Sequence, residues 1–307
     1  MFESCRGRSV EHLQRLSCLA VDVGGTKMAA AIVDAAGRIR DRAHVPTPRT
    51  DDAEVVFAAV TSVVRTVMSR ATSMPAVCGV GCGGPMLAGG VEVSPLHIPA
   101  WRRFPLRDRL GDVAGVDVFV DNDAKAVALG EGWVGAALGR DAYIGIVVST
   151  GIGGGIVLDG RLLEGHSGNA GHIGHVVVEP EGRPCLCGGH GCLEAEVSGT
   201  AIAAITGRPA ADASPEVVRR TGTLVGRAVA STANLLDLPL AVVAGSVALG
   251  FGDPFFAAAQ SEIDARARLS YSSSARIIPA ALGRDAALLG AAAVGWRGFG
   301  DIPGIVP

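Results

Sequence analysis

Leu19-Ala20-Val21-Asp22-Val23-Gly24-Gly25-Thr26-Lys27-Met28-Ala29-Ala30-Ala31-Ile32-Val33 is the stretch on which the fold turns. Residues 19–23 and 28–33 read as buried strands, so Gly24-Gly25-Thr26-Lys27 is a turn between two strands. A Walker loop or a dinucleotide fingerprint needs a helix N-terminus after its glycines, and neither is possible here. A tight hairpin turn can still offer backbone N–H groups, the Thr26 hydroxyl and the Lys27 ammonium to a phosphate. Asp34 to Gly37 supplies the next turn, and residues 39–45 can return antiparallel.

Working outward, residues 54–68 place Val55, Val56, Ala59, Val60, Val63, Val64 and Val67 at helical spacing. A strand follows at 76–82, closed by Gly83-Gly84-Pro85, then a loop rich in Pro and Trp at 94–106. Residues 116–120 read as a strand ending in Asp121-Asn122-Asp123, and 124–134 as a helix. The second half repeats this grammar. A strand at 142–148 leads to a glycine-rich turn at 149–155, Ser149-Thr150-Gly151-Ile152-Gly153-Gly154-Gly155, and a returning strand at 156–158. Helices are predicted at 199–205, 215–236, 254–267 and 286–296, with strands at 241–244 and 275–278. Two copies of one pattern predict an α/β protein of two related lobes facing a cleft, with one nucleotide gripped by a phosphate turn from each side.

Composition removes several classes of function. The 307 residues carry a net charge of −3, which gives no basic footprint for nucleic acid or an anionic membrane. No apolar run reaches the roughly 18–20 residues that span a bilayer, and residues 1–17 form a polar tail without a signal-peptide core. A cytoplasmic protein is expected. The 43 glycines mark many turns and close approaches. Seven cysteines argue against a secreted disulfide scaffold. Cys5, Cys18, Cys78 and Cys82 read as scattered small residues, whereas Cys185-Leu186-Cys187-Gly188-Gly189-His190-Gly191-Cys192 is a cluster. With His175 ten residues before Cys185 it makes a Cys₃His set of the closed structural zinc type, with His190 a rival ligand. Asp123 can accept a proton from a substrate hydroxyl, but an Asp before a helix reads on its own as an N-cap.

These motifs, in this order, resemble the ROK family (repressors, open reading frames and sugar kinases) over residues 19–295 or so. Asp22-Val23-Gly24-Gly25-Thr26-Lys27 is similar to its first phosphate motif, residues 149–155 to its second, and Val243-Ala244-Gly245-Ser246-Val247 to its adenosine motif. The resemblance implies two actin-like ATPase (ribonuclease H-like) lobes around a cleft, with a structural zinc loop at 172–194. The lobes are expected at 18–122, with a helix at about 284–298 returning to the first, and at 123–283. It further implies an ATP-dependent hexose kinase acting on a 6-hydroxyl with Mg²⁺, and a homodimer.

On that resemblance Asp123 is the base and Asn122 contacts the sugar, while Asp22 is the water-mediated partner of Mg²⁺. Gly24, Gly25, Thr26, Lys27, Thr150 and Gly151 hold phosphate, with Gly245 and Ser246 near the adenosine. Glu194 and His175 bind sugar hydroxyls, and His175, Cys185, Cys187 and Cys192 hold Zn²⁺. Gly83-Gly84-Pro85 resembles a loop packed on the sugar and reads equally well as a structural turn. Two positions depart from the family: His97 stands for Asn in the sugar loop before Pro99 and Trp101, and His172 stands for Glu in His172-Ile173-Gly174-His175. Imidazole offers a donor and an acceptor where carboxylate only accepts, so the hydroxyl pattern that fits should change. The family includes a kinase of kanosamine, an amino-hexose whose ammonium neutral imidazoles could accept from. It also includes sugar-responsive regulators that carry a helix-turn-helix before the first phosphate motif. About twenty residues precede Asp22 here, fewer than that module needs, and a regulator or a sensor without kinase activity is the alternative.

Overall fold

The computed structural model describes residues 16–300, so most of the expected tail at 1–17, with Cys5, lies outside the described residues. β1 (Ser17–Val23), β2 (Lys27–Asp34) and β3 (Ile39–Pro46) form an antiparallel meander, joined by β4 (Val77–Cys82) and β5 (Val118–Asn122) running parallel to β1. The sheet order is β3-β2-β1-β4-β5. Helices α1 (Ala53–Arg70), α2 (Leu106–Ala114) and α3 (Asp123–Val134) follow β3, β4 and β5. Asp52 caps α1 by accepting from the N–H groups of Glu54 and Val55, and the helix buries Val56, Val60, Val63, Val64 and Val67. Each such valine contributes roughly 1.5–3 kcal/mol of burial.

A second sheet repeats the plan in β6 (Tyr143–Val148), β7 (Ile152–Leu158), β8 (Arg161–Leu162), β9 (Leu240–Ala244) and β10 (Arg276–Pro279), in the order β10-β9-β6-β7-β8. Between β8 and β9 come a 3₁₀ turn at Ile173–His175, α4 (Leu193–Val197), α5 (Gly199–Thr206) and α6 (Pro215–Leu236). α7 (Ser246–Phe251) and α8 (Asp253–Arg266) separate β9 from β10, and α9 (Ala286–Phe299) closes the described chain. Counted along each half, the two strand orders are the same, the ribonuclease H-like arrangement.

The chain divides into two compact units. The first takes residues up to Gly139, the strap Glu164–Ala170, and everything from Arg284 on; the second takes Arg140–Leu163 and Gly171–Gly283. α3 thus keeps company with the first sheet, to one side of the boundary expected between 122 and 123. In the first unit the period-two alternation of β1 sends Leu19, Val21 and Val23 into the core shared with α1, while Cys18 meets Ala292 of α9 on the other face. α9 lies so close that a Cβ on Gly79 of β4 would fall 1.9 Å from the Ala291 carbonyl oxygen and 2.4 Å from the Gly295 nitrogen. Each unit has its own apolar core. Among the described residues no helix is long and apolar enough to cross a membrane.

One expectation is corrected. The second turn is only residues 149–151, because β7 begins at Ile152 and runs through all three of Gly153, Gly154 and Gly155. Gly154 serves close approach rather than a turn: a Cβ there would lie 2.8 Å from the Gly145 carbonyl oxygen and 3.1 Å from that of Gly171.

Candidate functional site

In the first unit the parallel register gathers the expected residues along one edge of the sheet. Asp22 is level with Gly81, and Gly81 with Asp121; Val23, Cys82 and Asn122 form the next row. The chain therefore leaves β1, β4 and β5 side by side, into Gly24-Gly25, Gly83-Gly84 and Asp123. Such strand ends are where α/β sheets bind ligands.

At the head of α3 the cap is Asn122, not Asp123. Its Oδ1 accepts from the Ala124 and Lys125 N–H groups at 3.0 and 3.3 Å, leaving its amide NH₂ as the end that can donate. Asp123 is the first helical residue and is exposed, while Asn122, Ala124 and Lys125 around it are buried. Its Oδ1 accepts from the Ala124 N–H at 2.8 Å. Asp22 is half-buried at the end of β1, and burial, then the Asp123 carboxylate, push its pKa up to about 7 against the pull of Lys27.

The first turn is held by its carbonyls. Thr47 donates its hydroxyl to the Gly24 oxygen at 2.6 Å and its N–H to the Thr26 oxygen at 3.0 Å. Gly25, Thr26 and Lys27 are themselves exposed. The Gly24 N–H closes the hairpin on the Lys27 oxygen at 3.1 Å, so the exposed Gly25 backbone, the Thr26 hydroxyl and the Lys27 ammonium are what the turn offers to an anion. Gly83 and Gly84 are half-buried, and the Gly84 oxygen accepts from the Leu96 N–H at 3.2 Å. His97 is exposed and lies directly against Gly25 of the phosphate turn.

Behind this edge stands a charge network that the sequence did not signal. Lys125, 1% exposed, donates to Glu164 Oε2 at 2.7 Å and to the Gly168 oxygen at 2.9 Å, and lies 3.5 Å from Asp121 Oδ1. Arg297 of α9 pairs with Asp121 Oδ2 at 3.4 Å and with Glu164. Burial raises the Asp121 carboxyl despite these cations. The network ties the strap to the helix that begins at Asp123.

In the second unit the turn after β6 is held in the same manner. The Ser149 oxygen accepts from the Gly199 N–H at 2.8 Å, and the Thr150 oxygen from the Thr200 N–H and hydroxyl at 3.2 and 2.9 Å. Thr150 is exposed and Gly151 half-buried. Gly199 and Thr200 were not foreseen; their signal is the Ser198 cap that opens α5. Ser149 and Ser246 hydroxyls meet at 3.0 Å, joining the turn to the start of α7. Gly245 has φ of 100°, and a Cβ there would fall 2.2 Å from the Val148 oxygen, so only glycine fits.

The metal-type loop folds onto the start of β7. Leu193 N–H donates to the Val176 oxygen at 2.9 Å, which sets Cys192 beside the turn that ends in His175. The ligand atoms of His175, Cys185, Cys187 and Cys192 all lie within 4.8 Å of one another. Cys185 Sγ is 3.7 Å from His175 Nδ1, and Cys187 Sγ is 3.7 Å from Cys192 Sγ. A tetrahedral zinc with Zn–S bonds of about 2.3 Å has S···S edges of about 3.8 Å. The thiols are free rather than bridged, so donor set and spacing both fit the ion. The geometry takes His175 into the cluster and leaves His190 outside it. Glu194 Oε2 accepts from the Ile152 N–H at 2.7 Å. His172 precedes the 3₁₀ turn, its ring 6.2 Å from that of His175.

The model of the ROK family matches residues 18–296. A glucokinase of Halalkalibacterium halodurans is 34% identical over 315 residues, covering 91% of this chain and 93% of the relative. An N-acetylmannosamine kinase of Citrobacter koseri is 37% identical over 253 residues, covering 77% and 86%. Among solved structures, a ROK family glucokinase from Streptomyces griseus in complex with glucose and AMPPNP superposes with a TM-score of 0.79 at 29% identity, covering 91% of this chain and 99% of that one.

Proposed function

The chain belongs to the ROK family, with its actin-like fold, and from that membership we propose an ATP-dependent hexose kinase that phosphorylates the 6-hydroxyl of a hexose or amino-hexose. The observation that carries the reading is the division of labour at the head of α3: Asn122 takes the cap and Asp123 is left exposed. Likeness to glucokinases and N-acetylmannosamine kinases supports the substrate class.

In this proposal Asp123 accepts the proton of the 6-hydroxyl as that oxygen attacks the γ-phosphorus. A new O–P bond forms as the bond to the bridging oxygen of the leaving ADP breaks. Asn122 donates its amide to a neighbouring hydroxyl. Gly25, Thr26 and Lys27, on the turn that the Gly24 N–H closes by donating to the Lys27 oxygen, hold phosphate oxygens together with Thr150 and Gly151, and Gly245 and Ser246 receive the adenosine. Mg²⁺ arriving with ATP would neutralise phosphate charge, and Asp22 is the carboxylate that would hold it. Zn²⁺ on His175, Cys185, Cys187 and Cys192 would brace the loop without chemistry of its own. His175 then has Nε2 left for a sugar hydroxyl, alongside Glu194, His172, Gly83, Gly84 and His97. Imidazoles at 97 and 172 favour an amino-hexose such as kanosamine over glucose. Six free thiols among the described cysteines suit a reducing cytoplasm, and a homodimer completes the proposal.

A coupled ADP-release assay over a panel of hexoses and amino-hexoses tests it. Sugar-dependent ADP release is expected, strongest with an amino-hexose. No release with any hexose overturns the kinase, and equal or better turnover of glucose overturns the amino-sugar preference alone.

A further inference from the structure

We infer that the first phosphate turn and the sugar loop are locked together through Gly25 and His97, so that a residue of the nucleotide grip also sets sugar affinity. The inference rests on the kinase reading for which ligand belongs to which segment. A Cβ on Gly25 would fall 2.5 Å from His97 Cβ, and 3.4 Å from both its Cγ and its carbonyl oxygen. No other residue supplies the three nearest atoms. Gly25 is also absent from the glycines with positive φ, so no left-handed backbone reserves the position for glycine. Among the protein's own atoms, it is therefore His97 that leaves no room for a side chain at this position.

Neither partner can step aside easily. On the loop side, Leu96 N–H is bonded to the Gly84 oxygen at 3.2 Å and Ile98 N–H to the Pro95 oxygen at 3.1 Å. Ile98 is buried, and fully buried Trp101 donates its indole N–H to the Ala53 oxygen at 3.2 Å and stacks on Phe104 with ring centroids 4.3 Å apart. On the turn side, Thr47 holds both the Gly24 and the Thr26 carbonyls. Two anchored segments in contact transmit a displacement rather than absorb it, because packed protein is not soft. A phosphate that fixes the turn also fixes the segment bearing His97, and a sugar that fixes that segment fixes the turn. By linkage the coupling is reciprocal. Each ligand lowers the ordering cost met by the other.

The test is calorimetric binding of the preferred sugar, with no nucleotide present, to Gly25→Ala and wild-type protein. A turn that served phosphate alone would leave this binding untouched. The expected result is sugar affinity weakened by about fivefold or more, the lower end of ordinary coupling. In a His97→Gly background the same Gly25→Ala change should have no further effect, since the colliding Cβ is gone. Sugar affinity equal to wild type in Gly25→Ala overturns the inference, and so does an equal loss in both backgrounds. Should Gly25→Ala fail to fold, His97→Gly alone decides: it should weaken AMPPNP binding measured without sugar, and unchanged AMPPNP affinity overturns the lock. Wild-type protein that binds no hexose overturns the kinase reading instead, so the two failures are distinguishable.

Discussion

The two phosphate-type turns sit at matching places in the two sheets, between first and second strands, and each has its carbonyls taken from within its own unit. Thr47 does this in the first unit, Gly199 and Thr200 in the second. The strands that lead in differ. Asp22 is the last residue but one of β1, whereas Val147 holds that place in β6. After the third strand the contrast widens: β3 has eight residues, while β8 has two and gives way to the strap and the metal-type loop. One scaffold has thus been used twice for gripping. Charged chemistry is concentrated in the first unit, at Asp22, Asp121, Asp123 and Lys125, and the second unit carries a donor set for a structural ion.

The largest expected effect comes from Asp123→Asn, which should lower kcat by roughly 10²–10⁴-fold while calorimetry shows sugar affinity little changed. Thr150→Val in the second unit should instead raise the KM for ATP and leave kcat nearly intact. A loss of kcat in Thr150→Val as large as that in Asp123→Asn would erase the contrast between the units. Next is Lys125→Met, expected to cost about 3–5 kcal/mol in urea unfolding, because it strips a buried cation from Asp121 and Glu164. Hydrogen exchange should show the first unit losing protection ahead of the second; equal loss throughout would make the two a single cooperative block.

Chelation should act on the other unit. One zinc per chain is expected to be released, with faster exchange at residues 172–194 and weaker sugar binding, and little change near α3. No zinc in the purified protein would remove the ion from the account. The smallest effects concern pH and run in opposite directions. Folding raises Asp22 from 3.8 to about 7, so between those values the native state holds a proton that the unfolded state has lost. Stability from this group therefore falls as pH rises from about 4 to about 7, and Asp22→Asn should gain on wild type over that window. At Glu196 burial favours the acid, but the Arg183 N–H and the Arg220 and Arg183 guanidinium groups outweigh it, so the carboxyl is held below its ordinary 4.5. Its contribution is present above that value and lost as pH falls through the lowered pKa, so wild type should lose its lead over Glu196→Gln in acid. Thermal melts from pH 3 to 8 would show both trends, and parallel curves for all three proteins would refute them.

Much of this was legible because the central strands are buried on both faces. The unbroken apolar runs around Val21, Val80 and Ile146 announce such strands without reference to anything distant. The Asp22 and Gly245 motifs were readable from their resemblance to the family's motifs, and the Cys185–Cys192 cluster from its close spacing, although Gly245 is fitted against the distant Val148 oxygen. α2 escaped because Arg107, Asp108, Arg109 and Gly111 dilute its three buried positions, Leu106, Leu110 and Ala114. Gly153 to Gly155 misled because glycine serves turns and close approach alike, and only the proximity of Gly145 and Gly171 decides between them. Lys125 is the clearest limit. A lysine in a helix reads as a solvated side chain, and its burial depends on Glu164 and Gly168, some forty residues later.

The seat of α9 has a consequence for biosynthesis. Residues 286–299 leave the ribosome after every residue of the second unit, yet they pack against β1, β4 and β5 of the first. Until they emerge, Gly79 and Cys18 face water, and Arg297 is missing from beside Asp121. The second unit can mature as it is made, whereas the sheet edge bearing Asp22 and Asp123 is completed last. A nascent chain stalled at Gly283 should accordingly show a protease-resistant second unit and a cleavable first. Such a chain would hold the metal-type loop intact before it could commit any ATP.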